Sequence, residues 1–510
     1  MKIFLFTACL FLCICYPYRS DAQPMQDTLG ITKQLRDQGK IKKAVGLLKI
    51  YQSHHPEDLN AEWLLAQTTY WAKKFNKSRL LYEDAIKSHP DNLYLQLDYA
   101  NMLVEIGKYK KAKPILDRYL AYDPSNSQAL LAMAKMSYWK GDYKEAAGEV
   151  KKVVQNNPDN KAAAALLTEI VLAESPWINL GASYVSDNQP LQSISPIVES
   201  GIYLDALSTL RFKFQGPIFK QKKGKITNAL WLQAGNAFYF WKAGLKINVD
   251  AGVLKYSYKN TTTWTANLEL EKTFARHLIL WAQVERKPYF ATGSSVDTMI
   301  NENHYAAAIG WNNTNSWNGQ IALHIDHFLA DKNTLHALSV WMFAPPLNAS
   351  VFTFRLGYGY SFSSAKENRF VPEEPDADVI ANYDSTQDIK GIYDPYFTPD
   401  DQRIHSFLVA IGIRPVNGFD IGISGNLGFY ATAEIPYFYL DKDKSGQVVV
   451  VKAFSRETYF PFSIKACASV QVSRKISIRL DYGYSSTYFY NSHYAGLGLK
   501  IYFWNAKKRN

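Results

Sequence analysis

The stretch "HYAGLGLKIYF" at 493–503 decides how the larger part of this chain is read. Taken in twos, Ala495, Leu497, Leu499, Ile501 and Phe503 fall on one face of a strand. Tyr494, Gly496, Gly498, Lys500 and Tyr502 fall on the other. One face asks for an apolar surrounding, the other for a polar one.

The same period runs through the chain from "SPWINLGASYVSDNQ" (175–189) onward. In "KINVDAGVLKY" (246–256) Ile247, Val249, Ala251 and Val253 oppose Asn248, Asp250 and Gly252. In "WTANLELE" (264–271) Trp264, Ala266, Leu268 and Leu270 oppose Thr265, Asn267, Glu269 and Glu271. About sixteen such strands would leave a sandwich with too much apolar area for one core. A closed antiparallel barrel, with lipid outside and water inside, satisfies every strand. Strands are expected at 206–216, 349–362, 418–433 and 458–471 among others, with long connections at 217–226, 290–302, 363–402 and 434–457. Those long connections all follow odd-numbered strands, and the turns after even strands are short. That asymmetry puts the long loops outside the cell and the start of the first strand in the periplasm.

The first third has a different period. Pro56, Pro90, Pro124 and Pro158 stand 34 residues apart. Ala44, Ser78, Ala112 and Ala146 keep the same step, as do Ala66, Ala100 and Ala134. Gly39, Gly107 and Gly141 do likewise, with Lys73 in the missing glycine's place. Small residues let two helices approach, Gly turns the chain between them, and Pro ends the second. This pattern resembles the tetratricopeptide repeat, a stack of helical hairpins with one concave face. Four repeats are expected within 23–160, with a capping helix at 161–175, a barrel over 176–504 and a tail at 505–510. The resemblance implies that Trp63, Gln67, Tyr70, Trp71, Asn101, Glu105, Lys135, Tyr138 and Trp139 line the concave face, where they could bind a periplasmic protein or a glycan.

The N-terminus "MKIFLFTACLFLCICYPYRSDAQ" has one Lys, an apolar run, and small Ser20 and Ala22 before Gln23. It reads as a secretory signal peptide over 1–22. Three of the four Cys lie in it, so Cys467 is expected to be alone, with no disulfide and no metal cluster. The formal charge of +11 is spread along the chain and no nucleic-acid module accompanies it. Outer-membrane lipid is the expected partner of the apolar face. No cofactor is expected.

Glu269, Glu271, Glu285, Asp326, Arg355, Arg479, Asp481 and Lys500 fall on expected lumen faces, as a salt-bridge network or a path for a solute. The segment 364–402 carries ten acidic and three basic residues, and as an external loop it could be solvated, cap the pore, bind divalent cations or fold inward as a plug. Catalysis is not expected. His405 and Ser406 point to opposite faces, as do His336 and Ser339, while His324 and Asp326 share a face without a nucleophile.

A signal peptide, tetratricopeptide repeats and a barrel opening on "SPWINLGASYVSDNQP" together resemble the YaiO-type outer-membrane proteins. The architecture is also similar to export pores for cellulose, poly-N-acetylglucosamine and alginate. Those resemblances imply a conduit for a glycan or another anionic solute. The alternative is a membrane-anchored scaffold whose repeats dock a periplasmic protein.

Overall fold

A computed structural model of the chain describes residues 28–188, 191–221, 224–274, 277–312, 316–382 and 388–503. The expected signal peptide and the tail at 505–510 lie outside these residues. The described residues form two compact units: 28–137 with 145–166, and 138–144 with those of 167–503.

The helical part follows the 34-residue step. Helices Ile41–His54, Phe75–Ser88, Tyr109–Tyr122 and Tyr143–Asn156 start 34 residues apart, and so do Leu59–Trp71, Leu93–Glu105, Ser127–Trp139 and Lys161–Glu174. A further helix, Thr28–Asp37, opens the series. Asp58 and Asn92 cap their helices by accepting from Asn60 N and Leu95 N. Asn126 and Asn160 accept from Ala129 N and Ala163 N in the same register. Ala44, Ser78, Ala112 and Ala146 are fully buried, as are Ala66, Ala100 and Ala134, because the helices cross there too closely for larger side chains.

The turns within hairpins are left-handed at Gly39 (φ 75°), Lys73 (φ 57°), Gly107 (φ 68°) and Gly141 (φ 80°). Lys73 alone adopts this conformation with a Cβ, which costs about 1–2 kcal/mol relative to the right-handed region. Lys73→Gly is therefore expected to stabilise the repeat unit by up to about 1 kcal/mol, the glycine's own chain entropy offsetting the rest. Chemical denaturation of the two proteins side by side checks it, and a destabilised variant would mean that Lys73 is held by its side chain.

The second part is a closed antiparallel barrel. Its strands are β1 Trp177–Asp187, β2 Gln192–Asp205, β3 Ser208–Gln215 prolonged by Ile218–Lys220, β4 Ile226–Phe240, β5 Leu245–Tyr256, β6 Thr261–Phe274, β7 Leu278–Pro288 and β8 Asn301–Trp311. They continue as β9 Asn318–Phe328, β10 Thr334–Phe343 prolonged by Leu347–Ala349, β11 Phe352–Ala365 and β12 Gln402–Val416. The last four are β13 Phe419–Lys442, β14 Val448–Tyr459 prolonged by Phe462–Ser473, β15 Ile476–Ser486 and β16 Asn491–Tyr502. Nineteen hydrogen-bonded segments thus make sixteen wall positions among the described residues. Each strand pairs with the next, and β16 returns to β1 from Trp177↔Tyr502 to Asp187↔Ser492.

All three interrupted strands break at proline: Pro217, Pro345–Pro346 and Pro461. Proline has no N–H to give to the ladder, so pairing lapses and resumes beyond it. This corrects two expected boundaries. Ile218–Lys220 belongs to the wall and not to a loop at 217–226, and Ala349, expected to open β11, instead completes β10 together with Leu347 and Asn348.

A third correction concerns 434–457. The sequence suggested a long connection, but the ladder between β13 and β14 runs on from Ala431↔Tyr459 to Lys442↔Val448. The segments "AEIPYFYL" and "VVVVKAF" are rich in β-branched and aromatic residues, so they pair with each other beyond the main wall.

The faces are those read from the alternation. Leu180, Leu232, Val253, Leu268, Leu323 and Leu497 are exposed on the outside of the wall. Charged and amide side chains occupy the positions between them. An apolar band exposed around a closed wall, with polar groups inside, is the arrangement of an outer-membrane-type barrel.

Candidate functional site

Three regions carry polar groups or exposed rings that the fold alone does not require. The first is the helical face. Trp63 Nε1, Gln67 Nε2 and Tyr82 OH all donate to Oδ2 of Asp98, at 2.5, 2.8 and 2.6 Å. Trp63 and Gln67 are thus tied into the packing between helices. Burial, and then the Asp98 carboxylate, push the Tyr82 hydroxyl far up from its ordinary range. Tyr70 leans on Phe75 at 5.6 Å between ring centres. Trp71 is 56% exposed, with the Arg36 guanidinium 5.4 Å over its ring.

Asn101 and Lys135 share a hollow of about 260 Å³ with Val104, Glu105 and Leu166. Lys135 Nζ lies 2.7 Å from Glu105 Oε1 there. Asn101 Nδ2 is buried in that hollow without a hydrogen-bond partner. Tyr138 leans on Tyr143 at 5.5 Å, and Trp139, the last residue of its helix, is 40% exposed. Asp98 escaped the sequence reading. The available signal was a single charge within the otherwise uncharged "LYLQLDYANMLV".

The second region is the lumen wall. Glu269 accepts from Asn248 Nδ2 at 2.9 Å and from Trp281 Nε1 at 2.8 Å. Glu271 meets Lys246 at 3.3 Å. Lys287 bridges Glu285 at 3.2 Å and Glu302 at 3.7 Å. Asp326 meets His304 Nδ1 at 2.5 Å, Arg479 meets Asp481 at 2.7 Å, and Arg355 stands opposite Ala410. The sequence reading missed the pair Arg211–Asp250, at 2.9 Å, which Asn267 also joins at 3.1 Å. Gly235 makes room for it: a Cβ there would lie 2.0 Å from Asp250 Oδ1.

The third region is a roof over the rim opposite the start of β1. The connection after β7 forms a short helix, Gly293–Asp297, whose Val296 packs on Leu191 and Phe219. Phe290 meets Phe219 at 5.0 Å and Tyr256 at 6.2 Å. In the described part of the acidic segment after β11, Phe370–Pro372 pairs with Gly391–Tyr393 and a helix runs over Asp376–Asn382. Its Tyr396 stacks on Phe328 with ring centres 3.5 Å apart and planes 7° from parallel.

The Tyr396 hydroxyl donates to Asp331 Oδ2 at 2.6 Å, and burial, followed by that bond, pushes it up to about 12. Thr292 Oγ1 donates to the carbonyl of Pro395. Tyr393 and Phe397 pack on Phe489 of the β15–β16 turn at 5.2 and 5.3 Å. Phe370 stacks on Phe438 of the β13 extension at 5.4 Å. Lys452 Nζ donates to Asn368 Oδ1 at 2.6 Å and to the Phe370 carbonyl at 2.8 Å. Connections from all around the rim therefore meet in one aromatic layer that spans the mouth.

Comparison with known proteins matches the tetratricopeptide repeat family to residues 72–136. No curated protein matches the chain. Among solved structures, a protein described as a bacterial polysaccharide outer membrane secretin is 11% identical, covering 65% of this chain and 99% of its own, with a TM-score of 0.45. MamA from Desulfovibrio magneticus RS-1 is 17% identical over 29% of this chain and 94% of its own, with a TM-score of 0.25. A tetratricopeptide repeat protein from Parabacteroides merdae ATCC 43184 is also 17% identical, over 29% of this chain and 59% of its own, with a TM-score of 0.26. What the chain contains is a tetratricopeptide-like helical segment followed by an outer-membrane-type barrel of sixteen strands.

Proposed function

We propose that the protein is a docking platform held in the bacterial outer membrane, whose repeats recruit a periplasmic protein. The observation that carries this reading is the roof: a barrel whose mouth is spanned by fully buried rings such as Tyr396 and Phe328 serves better as an anchor than as an open conduit. The long connections lie on the rim opposite the start of β1, which supports a periplasmic side for the repeats. The order of repeats and then barrel also supports the YaiO-type resemblance. The charged lumen favours a second reading, passage of a glycan or other anionic solute when the roof opens.

Exposed Trp71 and Trp139 are the anchors that this reading would use. A photoreactive amino acid at position 135 is expected to trap one discrete periplasmic protein in growing cells. The double variant Trp71→Ala, Trp139→Ala should then weaken that partner's affinity by about 2 kcal/mol or more per ring, the usual loss at interface anchors. A lowered melting temperature with unchanged affinity would make both rings packing elements and remove them from the functional account.

A further inference from the structure

The lumen wall is split by sign. Strands β6 to β9 present Glu269, Glu271, Glu285, Glu302 and Asp326 against Lys287, with His304 and His324 beside them. Strands β11 to β16 present Arg355, Lys465, Arg479 and Lys500 against Asp420 and Asp481. Two walls of opposite sign facing each other inside a low-dielectric shell set up a field across the lumen.

A cavity of about 750 Å³ lies on the basic wall, lined by Lys465, Arg479, Asp481, Ser485, Ser492 and Tyr494 among others. That volume is within the roughly 300–1,000 Å³ of small-molecule sites. Its two cations are unlike. Arg479 is held by Asp481 through hydrogen bonds of 3.1, 2.8 and 2.7 Å. Lys465 is exposed in the cavity and makes no ion pair or hydrogen bond among the described residues. Ser485 and Ser492 share a hydrogen bond of 2.8 Å and, with the Tyr494 hydroxyl, offer groups that both donate and accept.

We propose that this cavity binds a sugar bearing a carboxylate, with Lys465 pairing the carboxylate and the Ser485, Ser492 and Tyr494 hydroxyls meeting the ring hydroxyls. One unpaired ammonium matches one negative charge. A dianion such as phosphate would bring its second charge towards Asp481, where like charges repel. The Tyr494 ring adds an apolar surface for the flat face of a sugar.

The test uses the purified full-length protein in detergent and calorimetric titration with the methyl glycoside of galacturonate, which carries one carboxylate, its neutral methyl galactoside counterpart, and inorganic phosphate. The galacturonate glycoside should bind at least tenfold more tightly than the neutral galactoside, with an affinity that falls as salt is added. Lys465→Gln should remove that preference and Lys465→Arg restore it. Lys246→Gln, beside Glu271 on another part of the wall, should leave it unchanged. Equal binding of the two glycosides, no binding of either, or a Lys465→Gln variant that binds like the parent would overturn the site. Phosphate competing as strongly as the galacturonate glycoside would make it a general anion site and overturn the assignment to a sugar.

Discussion

Deleting residues 366–401 and closing the gap with a short Asn-Gly turn is expected to turn a silent barrel into one that conducts ions in planar bilayers. The deletion is feasible because Ser363 and Gln402 already pair across the β11–β12 ladder, so a tight turn can join the two strands without disturbing the wall. A barrel of sixteen strands is wide enough to leave an aqueous channel when nothing fills it. What fills the mouth here is the segment that supplies Phe370, Tyr393, Tyr396 and Phe397.

Without that segment, Phe328 loses the stacked Tyr396, Phe438 loses Phe370, Phe489 loses Tyr393 and Phe397, and the Asp331 carboxylate loses both Tyr396 and Arg369. The helix Gly293–Asp297 then loses the bonds from Thr292 to the Pro395 carbonyl and from Ser294 to Asp394, and keeps its contacts with Leu191, Phe219, Tyr258, Gln221 and Lys225. Conductance should rise from baseline to long-lived open steps, and the variant should keep the heat-dependent gel shift of a folded barrel. A folded variant that stays silent would place the barrier elsewhere in the lumen and remove the roof as the reason for reading the protein as an anchor.

Asp98→Ala is expected to cost the repeat unit about 3–6 kcal/mol, because two or three donors lose their acceptor at once and each buried unsatisfied group costs about 1–3 kcal/mol. The carboxylate is reached by Trp63 and Gln67 from one helix and by Tyr82 from the next, so a single truncation unties three helices. Asp98→Asn keeps one carbonyl acceptor and should lose less, since bonds to a charged acceptor are stronger than those to a neutral one. Hydrogen exchange on the full-length protein would show the loss over Leu59–Trp71, Phe75–Ser88 and Leu93–Glu105, with the barrel strands unchanged. A loss below about 1 kcal/mol would mean that the three donors find water or other acceptors, as surface groups do.

The two periods, and therefore the two halves, are legible in the residues alone. Ala44, Ser78, Ala112 and Ala146 recur because a close helix crossing tolerates only small side chains, so the repeat is written into the residues that make it. The alternation in "HYAGLGLKIYF" fixes which side chains face outward from the wall, because every second side chain leaves the same side of a strand. Glu269, Asp326, Arg479 and the other lumen residues could be assigned to their face on that ground alone. Even the proline breaks at Pro217, Pro345–Pro346 and Pro461 were visible as residues, although not as pauses within continuing strands.

The roof, the Asp98 node and the unpaired Lys465 arise from contacts between segments distant in the chain. In 364–402 the acidic residues suggested solvent, while Phe370, Tyr393, Tyr396 and Phe397 stand at no regular spacing. Their partners, Phe438, Phe489 and Phe328, come from other connections of the rim, far away in sequence. Asp98 looks like any polar residue of a helix until three donors from two other helices converge on one of its oxygens. Periodic packing repeats in the sequence because each unit meets its neighbour in the same way. A contact made once, between segments that only barrel closure or helix stacking brings together, leaves no period to read.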